Sequence, residues 1–152
     1  MQPSLTEKVV TMRVKPDGSN YVVSAGATAV TSVPIDTAGY EGVRLMIGFG
    51  AIVSGAATSI KARQGAAANM SDGADLAGTS QTVADTDDNK IRIVDIYRPE
   101  KRYVDLVTSR ATQNATIDFL VAEFYGVRVK PVTQHATVAG VEIFNSPPEG
   151  TA

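Results

Sequence analysis

The sequence predicts an all-β protein, a single-domain antiparallel β-sandwich or jelly roll with extended N- and C-terminal arms. Apolar residues recur at every second position in several segments, which is the period of a β-strand. Turn-forming clusters separate these segments at short intervals, as in sandwiches and barrels. The length of 152 residues fits one domain with a sizeable core. We expect an N-terminal arm at residues 1–8, a β-sandwich domain at 9–144 and a C-terminal tail at 145–152.

Four segments carry the clearest strand patterns. The first is bounded by Gly42 and Gly50, and the second stops before Pro99, whose missing N–H cannot continue a ladder. In the last, apolar Leu120 and Phe124 lie on the face that also carries an aspartate, so we expect this strand to be covered on both sides. The four segments are Val43–Phe49, Ile91–Tyr97, Tyr103–Thr108 and Thr116–Phe124.

Weaker patterns and turns occupy the rest of the chain. Residues 56–70 are rich in alanine, but Gly55 and Gly65 interrupt them, so we expect a strand followed by a loop rather than a helix. Turns are predicted at Pro16–Asn20, Ala38–Gly39, Ser71–Gly73 and Asp87–Asn89. Further strands are predicted at Val9–Val14, Tyr21–Ser24, Ala29–Ile35, Ser59–Gln64, Thr79–Val83, Val127–Lys130 and Val138–Phe144.

Composition narrows the class of partner. The chain has 14 basic and 16 acidic residues, whereas a protein that neutralises many phosphates carries a basic surplus, so we expect no nucleic-acid partner. Cysteine is absent, which removes disulfides, thiolate metal sites and cysteine nucleophiles. The longest apolar run, Leu45–Val53, is too short to cross a bilayer, and residues 1–10 carry no signal-peptide core. We therefore expect no membrane partner.

Catalytic signatures are weak throughout the chain. The single histidine, His135, has no nucleophile or carboxylate at motif spacing, and no phosphate loop, zinc-binding histidine pair or nucleophile elbow occurs. A hydrolase would have to draw carboxylates from separate segments, for example Asp85 with Glu123. We expect no catalytic residues, no cofactor and no enzymatic activity.

Two acidic loops have the oxygen ligands that calcium prefers. Asp85, Asp87, Asp88 and Asn89 form the denser one, but the EF-hand glycine and distal glutamate are missing, so a solvated turn is favoured. The loop Asp72–Asp75 is likewise a turn, since Asp-Gly is a strong turn former. No metal site is predicted, and metal binding by the Asp85–Asn89 loop stays open.

One compact basic patch and the proline-rich tail are the candidate partner-binding residues. Arginine beside an aromatic ring binds phosphate or stacks on bases, yet in an acidic chain such a patch is more often the charged rim of a protein interface. Both ends are arms rather than core, because they are polar or rich in proline and glycine. The candidates are Arg98, Lys101, Arg102 and Tyr103 in the patch, with Pro147 and Pro148 in the tail.

Somewhat under half of the chain, from Ser59 to Tyr125, resembles the small decoration, or cement, proteins of tailed-phage heads. The matching features are a strand ending at Gln64, the Asp72–Gly78 loop, the Tyr97–Val104 block, the polar turn Thr108–Thr116 and the strand end Phe124–Gly126. The resemblance implies a sandwich or jelly roll made in the host cytoplasm and placed on the capsid surface of the virion. It also implies a homo-oligomer, dimer or trimer, that clamps adjacent subunits of the major capsid protein.

Two other functions remain open from the sequence. Phages use similar small β-proteins at the head–tail joint and in the tail, and nothing in this chain separates those positions from the head surface. A carbohydrate-binding or receptor-binding module would present the loops Asp72–Asp75 and Asp85–Asn89. The lack of tryptophan and the 6% aromatic content argue against it, because sugar faces stack on aromatic rings.

Overall fold

The computed structural model describes residues 4–146 and 148–151, and the fold is an antiparallel β-sandwich of two packed sheets. Residues Leu5–Glu7 form a 3-10 turn before the first strand. We name the two layers the front sheet and the back sheet. The front sheet holds β1 (Val10–Val14), β2 (Val23–Gly26), β5 (Gly42–Ile52), β9 (Ile91–Tyr97) and β11 (Ala115–Tyr125), and the back sheet holds β3 (Val30–Thr31), β4 (Ile35–Asp36), β6 (Ala57–Gly65), β7 (Ala74–Asp75), β8 (Gln81–Val83) and β10 (Tyr103–Ala111).

Long strands form the centre of each sheet. The front sheet has the order β1-β11-β5-β9, with β2 also paired to β11, and β9 is therefore at its edge. The back sheet has the order β3-β10-β6-β7, with β4 beside β10 and β8 beside β6. Every pairing is antiparallel.

The core lies between the sheets and is made by the alternating positions that the sequence predicts. Along β5, every second side chain from Val43 to Phe49 is at most 1% exposed, as expected for a strand with one face against a partner sheet. Val104 and Leu106 of β10 and Ile60 of β6 face them from the back sheet, also at most 1% exposed. The predicted strand Ile91–Tyr97 and the predicted strand-then-loop at 56–70 are confirmed.

A β-bulge in β11 changes which residues face the core. The register with β5 shifts between Ile117 and Phe119, so the buried positions move from Ile117 to Leu120, Ala122 and Phe124. Phe119 then lies half-buried on the outer face of the front sheet. The apolar residues on both faces of the predicted strand thus have two causes. The bulge changes which alternate positions face the core, and Phe119 is half-buried on the outer face.

Glycines within β5 make room for this outer face. A Cβ added at Gly48 would overlap the ring of Phe119, and one at Gly50 would meet the side chains of Thr116 and Asp118. The strand therefore continues through Gly50 to Ile52, and the boundary predicted at Gly50 was wrong. These glycines serve close packing between neighbouring strands rather than a turn.

Other sequence predictions need correction. The single strand expected at Ala29–Ile35 is two short strands, β3 and β4, because the register with β10 shifts by one residue between them and Pro34 has no N–H to donate. The short strand β7 was not predicted. The strands expected at Val127–Lys130 and Val138–Phe144 do not form, since the chain leaves β11 at Gly126, which has a φ of 69°, and Pro131 has no N–H to donate.

A buried arginine joins the sheets where β10 ends. Arg110 is 5% exposed, and its guanidinium donates hydrogen bonds to the carbonyls of Thr28 at 3.0 Å, Ser24 at 3.0 Å and Ala115 at 2.8 Å. Burial lowers its pKa from the usual 12.5. Three carbonyls compensate the charge here, which fixes the β2–β3 connection against the start of β11.

Candidate interaction surfaces

The predicted basic patch forms one wall of an open groove. The turn between β9 and β10 carries Arg98, Lys101 and Arg102, and the groove of about 530 Å³ lies between this turn, the segment 37–41 and Arg128. Tyr103 is outside the groove, half-buried on β10, and the guanidinium of Arg102 lies 5.2 Å from its ring centre. The basic charge of the groove therefore includes Arg128, which the sequence reasoning did not select because it is distant in the chain.

Two cations of the patch are already paired with carboxylates. Arg102 makes two bonds to Asp36, at 2.9 and 2.8 Å, and this pairing lowers the pKa of Asp36. Lys101 lies 3.8 Å from Asp72. Among the described residues, Arg98 and Arg128 make no ion pair. Arg98 has a φ of 51°, its N–H donates to Glu41 O at 2.7 Å, and it lies over Tyr97.

The tail prolines are separate from this groove. Pro148 is exposed and does not line it. Pro147 lies outside the described residues. The structure thus brings together the basic residues of one turn and leaves the tail apart from them, and the partner-binding role of all six residues stays a prediction.

The carboxylates of the acidic loops are directed at protein donors. Asp85 accepts from Gly55 N at 2.9 Å and Asp88 accepts from Ile52 N at 2.6 Å. Asp87 binds Lys90 at 3.1 Å and also Arg92, and these cations lower its pKa to about 2. In the part of the chain that the structure describes, no three acidic or histidine side chains converge as a metal site.

The residues considered for catalysis lie in different environments. His135 Nδ1 is 3.0 Å from the hydroxyl of Thr137, in a turn that contacts β1, where the same hydroxyl accepts from Arg13 N at 2.9 Å. Glu123 pairs with Arg44 at 3.0 Å on the outer face of the front sheet, whereas Asp85 bonds to Gly55. No hydrogen bond joins Asp85 to Glu123.

The outer face of the front sheet is arranged in rows that cross the strands. Val121, Met46 and Ile93 are direct neighbours across β11, β5 and β9, and Phe119, Gly48 and Ile91 form the next row. Both rows are apolar. Beyond them lies a charged row of Glu123, Arg44 and Asp95, followed by Tyr125 and Tyr97 at the end of the sheet.

Strand β9 exposes the apolar part of this face most fully. Ile91, Ile93 and Tyr97 are 54%, 47% and 58% exposed, while Val94 and Ile96 face the core. The sequence pattern could not choose between the faces, because isoleucine occurs on both. The presence of β-branched residues at odd and even positions was the available signal that the strand has a second apolar face.

A short segment after β11 is fixed to the start of the chain by one side chain. Gln134 donates to the carbonyls of Thr6 at 3.0 Å and Val9 at 2.7 Å, and accepts from Thr11 N at 2.8 Å. The chain beyond it exposes Val141, Ile143 and Phe144, the last at 69%. These apolar side chains have no cover within the described residues.

No protein-family model matches this chain, and no curated protein matches it at a significant level. None of the described residues belongs to a helix of the length and apolarity needed to cross a membrane. The fold thus defines the class, an antiparallel β-sandwich. Its candidate interaction sites are the basic groove, the outer face of the front sheet and the segment Val141–Phe144.

Proposed function

We propose that this chain is a structural virion protein that binds the outside of a tailed-phage capsid and stabilises it by clamping adjacent major capsid subunits. Its place would be the capsid surface after synthesis in the host cytoplasm. The observation that carries the proposal is the concentration of uncovered apolar side chains on β9 and on the segment Val141–Phe144. The resemblance of Ser59–Tyr125 to head decoration proteins agrees with it.

Apolar side chains exposed in this density are typical of surfaces that bind other proteins. A clamp needs two such regions, since it holds two neighbours at once. The outer face of β9 offers a flat one, and Val141–Phe144, which lies beyond the last strand, offers an extended one. Arg98 and Arg128 add charge at one end of the sandwich, where they favour acidic groups on the partner.

Co-sedimentation with heads assembled from the major capsid protein of the same genome tests the proposal. The full chain is expected to pellet with the heads at saturating stoichiometry. Two variants, one ending at Gly140 and one carrying Ile143→Asp with Phe144→Asp, are expected to bind about tenfold more weakly or worse. The substituted variant should keep the melting temperature of the full chain, because Ile143 and Phe144 are exposed.

A charge variant separates the groove from the apolar surfaces. Arg98→Glu with Arg128→Glu is expected to weaken binding and to reduce its dependence on salt, whereas Arg13→Glu, an exposed arginine on β1, is the matched control. Electron microscopy of the particles gives the position. Density only at the head–tail joint or in the tail, or failure of the full chain to bind heads, would overturn the proposal.

A further inference from the structure

We propose that β9 pairs with β9 of a second copy of this chain across a two-fold axis, which joins the two front sheets into one continuous sheet. This deepens the proposed function by naming the surface through which copies associate. Pairing between copies requires no capsid, so it is tested on the isolated protein.

The pairing of β9 with β5 determines which backbone groups of β9 remain free to bond to another strand. Lys90 O accepts from Phe49 N of β5 at 3.0 Å, so even-numbered residues direct their N–H and C=O groups toward β5. The odd-numbered residues from Ile91 to Tyr97 direct theirs outward. Among the described residues, these outward groups receive one hydrogen bond, from Gln81 Nε2 to Ile93 O at 2.9 Å.

An edge of this kind is rarely left open in a native protein. Edge strands are normally short, charged, bulged or covered, because a long apolar edge pairs with other chains. Here the strand has seven residues, and its outward-facing side chains include Ile91, Ile93 and Tyr97, each close to half exposed or more. The residues that form the exposed edge also carry the exposed side chains, so a paired strand would bond to the edge and add cross-strand neighbours beside those side chains.

The strand is complementary to itself in a single register. Asn89 and Arg98, with φ of 57° and 51°, turn the chain away at its two ends, so a partner of equal length fits best. With Val94 on the axis, Ile91 lies opposite the partner's Tyr97 and Ile93 opposite the partner's Asp95. All seven residues then pair, and the outward groups make about eight hydrogen bonds.

Pairing in the neighbouring registers is less favourable than pairing about Val94, because it opposes like charges or shortens the paired segment. Moving the axis to Asp95 places that carboxylate opposite its own copy, and like charges directly opposite are destabilising. Moving it to Ile93 leaves Tyr97 beyond the end of the partner strand. Because the self-pairing satisfies the whole strand, a second copy is the partner that the edge fits.

The size of the contact sets the expected affinity. Seven residues span about 23 Å, and pairing along one edge buries less surface than a standard protein interface. The side-chain amide of Gln81 must also leave Ile93 O. We therefore expect a reversible dimer with a dissociation constant in the micromolar range in free solution.

Engineered cysteines test the register, because the chain has none of its own. Opposite residues in a hydrogen-bonded antiparallel pair have Cα atoms about 5.5 Å apart, within disulfide range. In one strand, positions 91 and 97 are about 20 Å apart, so they cannot bridge within a chain. Ile91→Cys with Tyr97→Cys should form a covalent dimer under oxidation, whereas either substitution alone and Ile93→Cys should stay monomeric on a denaturing gel.

Sedimentation equilibrium supplies the second readout. The unmodified chain should show concentration-dependent dimerisation that Ile93→Asp abolishes, because the new carboxylate lies opposite the partner's Asp95. Val53→Asp, at a similarly exposed position on another surface, should leave the dimerisation unchanged. A chain that stays monomeric up to about 1 mM, or a disulfide formed by Ile93→Cys and not by the double variant, would overturn the proposal. Neither result bears on binding to heads, which the pelleting assay decides separately.

Discussion

The guanidinium of Arg63 and the carboxylate of Asp105 form a two-point ion pair in the centre of the back sheet. The Nε–Oδ1 distance is 2.9 Å and the Nη2–Oδ2 distance is 2.5 Å. The two residues are direct partners in the register of β6 and β10, and the Asp105 side chain is 1% exposed. The bonds to Asp105 raise the pKa of Arg63. A slip of β10 along β6 would bury this carboxylate without its partner.

Asp105→Asn is expected to lower the free energy of unfolding by about 3 kcal/mol, because removal of one member of a buried pair leaves the other without compensation. Lys61→Gln is the control, since Lys61 lies on the same strand as Arg63 and forms an exposed pair with Asp75 of β7, and it should cost less than about 1 kcal/mol. Urea denaturation measures both. Equal losses of unfolding free energy in the two variants would show that the buried Arg63–Asp105 pair stabilises the fold no more than an exposed pair does.

The Asp87 carboxylate makes stability depend on pH in acid. Its bond to Arg92, and then that to Lys90, lower its pKa from 3.8 to about 2. A group whose pKa is lowered on folding stabilises the fold above its unfolded pKa, and this contribution disappears as the pH falls through the folded value. The melting temperatures of the native chain and of Asp87→Asn should therefore differ at pH 5 and converge near pH 2. A constant difference across that window would contradict this.

Gly48→Ala is expected to destabilise the fold by about 1–3 kcal/mol, because its methyl group would overlap the Phe119 ring. In a Phe119→Ala background the same change should cost at least about 1 kcal/mol less, since the ring is gone. Gly140→Ala, where the added carbon meets nothing, should be close to neutral. Thermal denaturation of the four chains of the cycle measures the coupling, and simple additivity would refute the contact.

Arg110→Lys should loosen the start of β11 and the β2–β3 connection. Lysine carries a single ammonium nitrogen, whereas Arg110 uses Nε and Nη1 of its guanidinium. The lysine therefore cannot reach the carbonyls of Thr28, Ser24 and Ala115 together. We expect a loss of about 2 kcal/mol in unfolding free energy and faster amide exchange at residues 23–31. Arg128→Lys, at an exposed position, is the control. Unchanged exchange at 23–31 would mean that these bonds are not what fixes the connection.

Gln81→Ala should strengthen dimerisation through β9. The substitution frees Ile93 O from its intramolecular bond, so pairing no longer has to displace the amide. A severalfold decrease in the dissociation constant is expected by sedimentation equilibrium. Thr82→Ala, at the exposed next position of β8, should leave the constant unchanged. Weaker association of Gln81→Ala would indicate that the glutamine takes part in the contact.

Sequence patterns predicted strands well where the periodicity was long. The bounds of the strand Ile91–Tyr97 were predicted to the residue. In Val43–Phe49, the alternate residues predicted to share one face are the ones that the core buries. Weaker patterns also marked strands, as at Val9–Val14 and Ser59–Gln64, but not at Val138–Phe144, because β-propensity forms a strand only where a neighbouring strand accepts its hydrogen bonds. The acidic turn Asp87–Asn89 and the patch at Arg98–Arg102 were correctly placed between strands.

The amino-acid sequence by itself determined an all-β chain, its main strands and the turn chemistry between them, because these follow from local periodicity and backbone preference. Only the tertiary structure decided that β9 is an edge with Ile91 and Ile93 outside, that Lys101 and Arg102 are paired with carboxylates, and that Arg128 joins Arg98. Those facts depend on which distant segments lie side by side, and spacing along the chain carries no record of that.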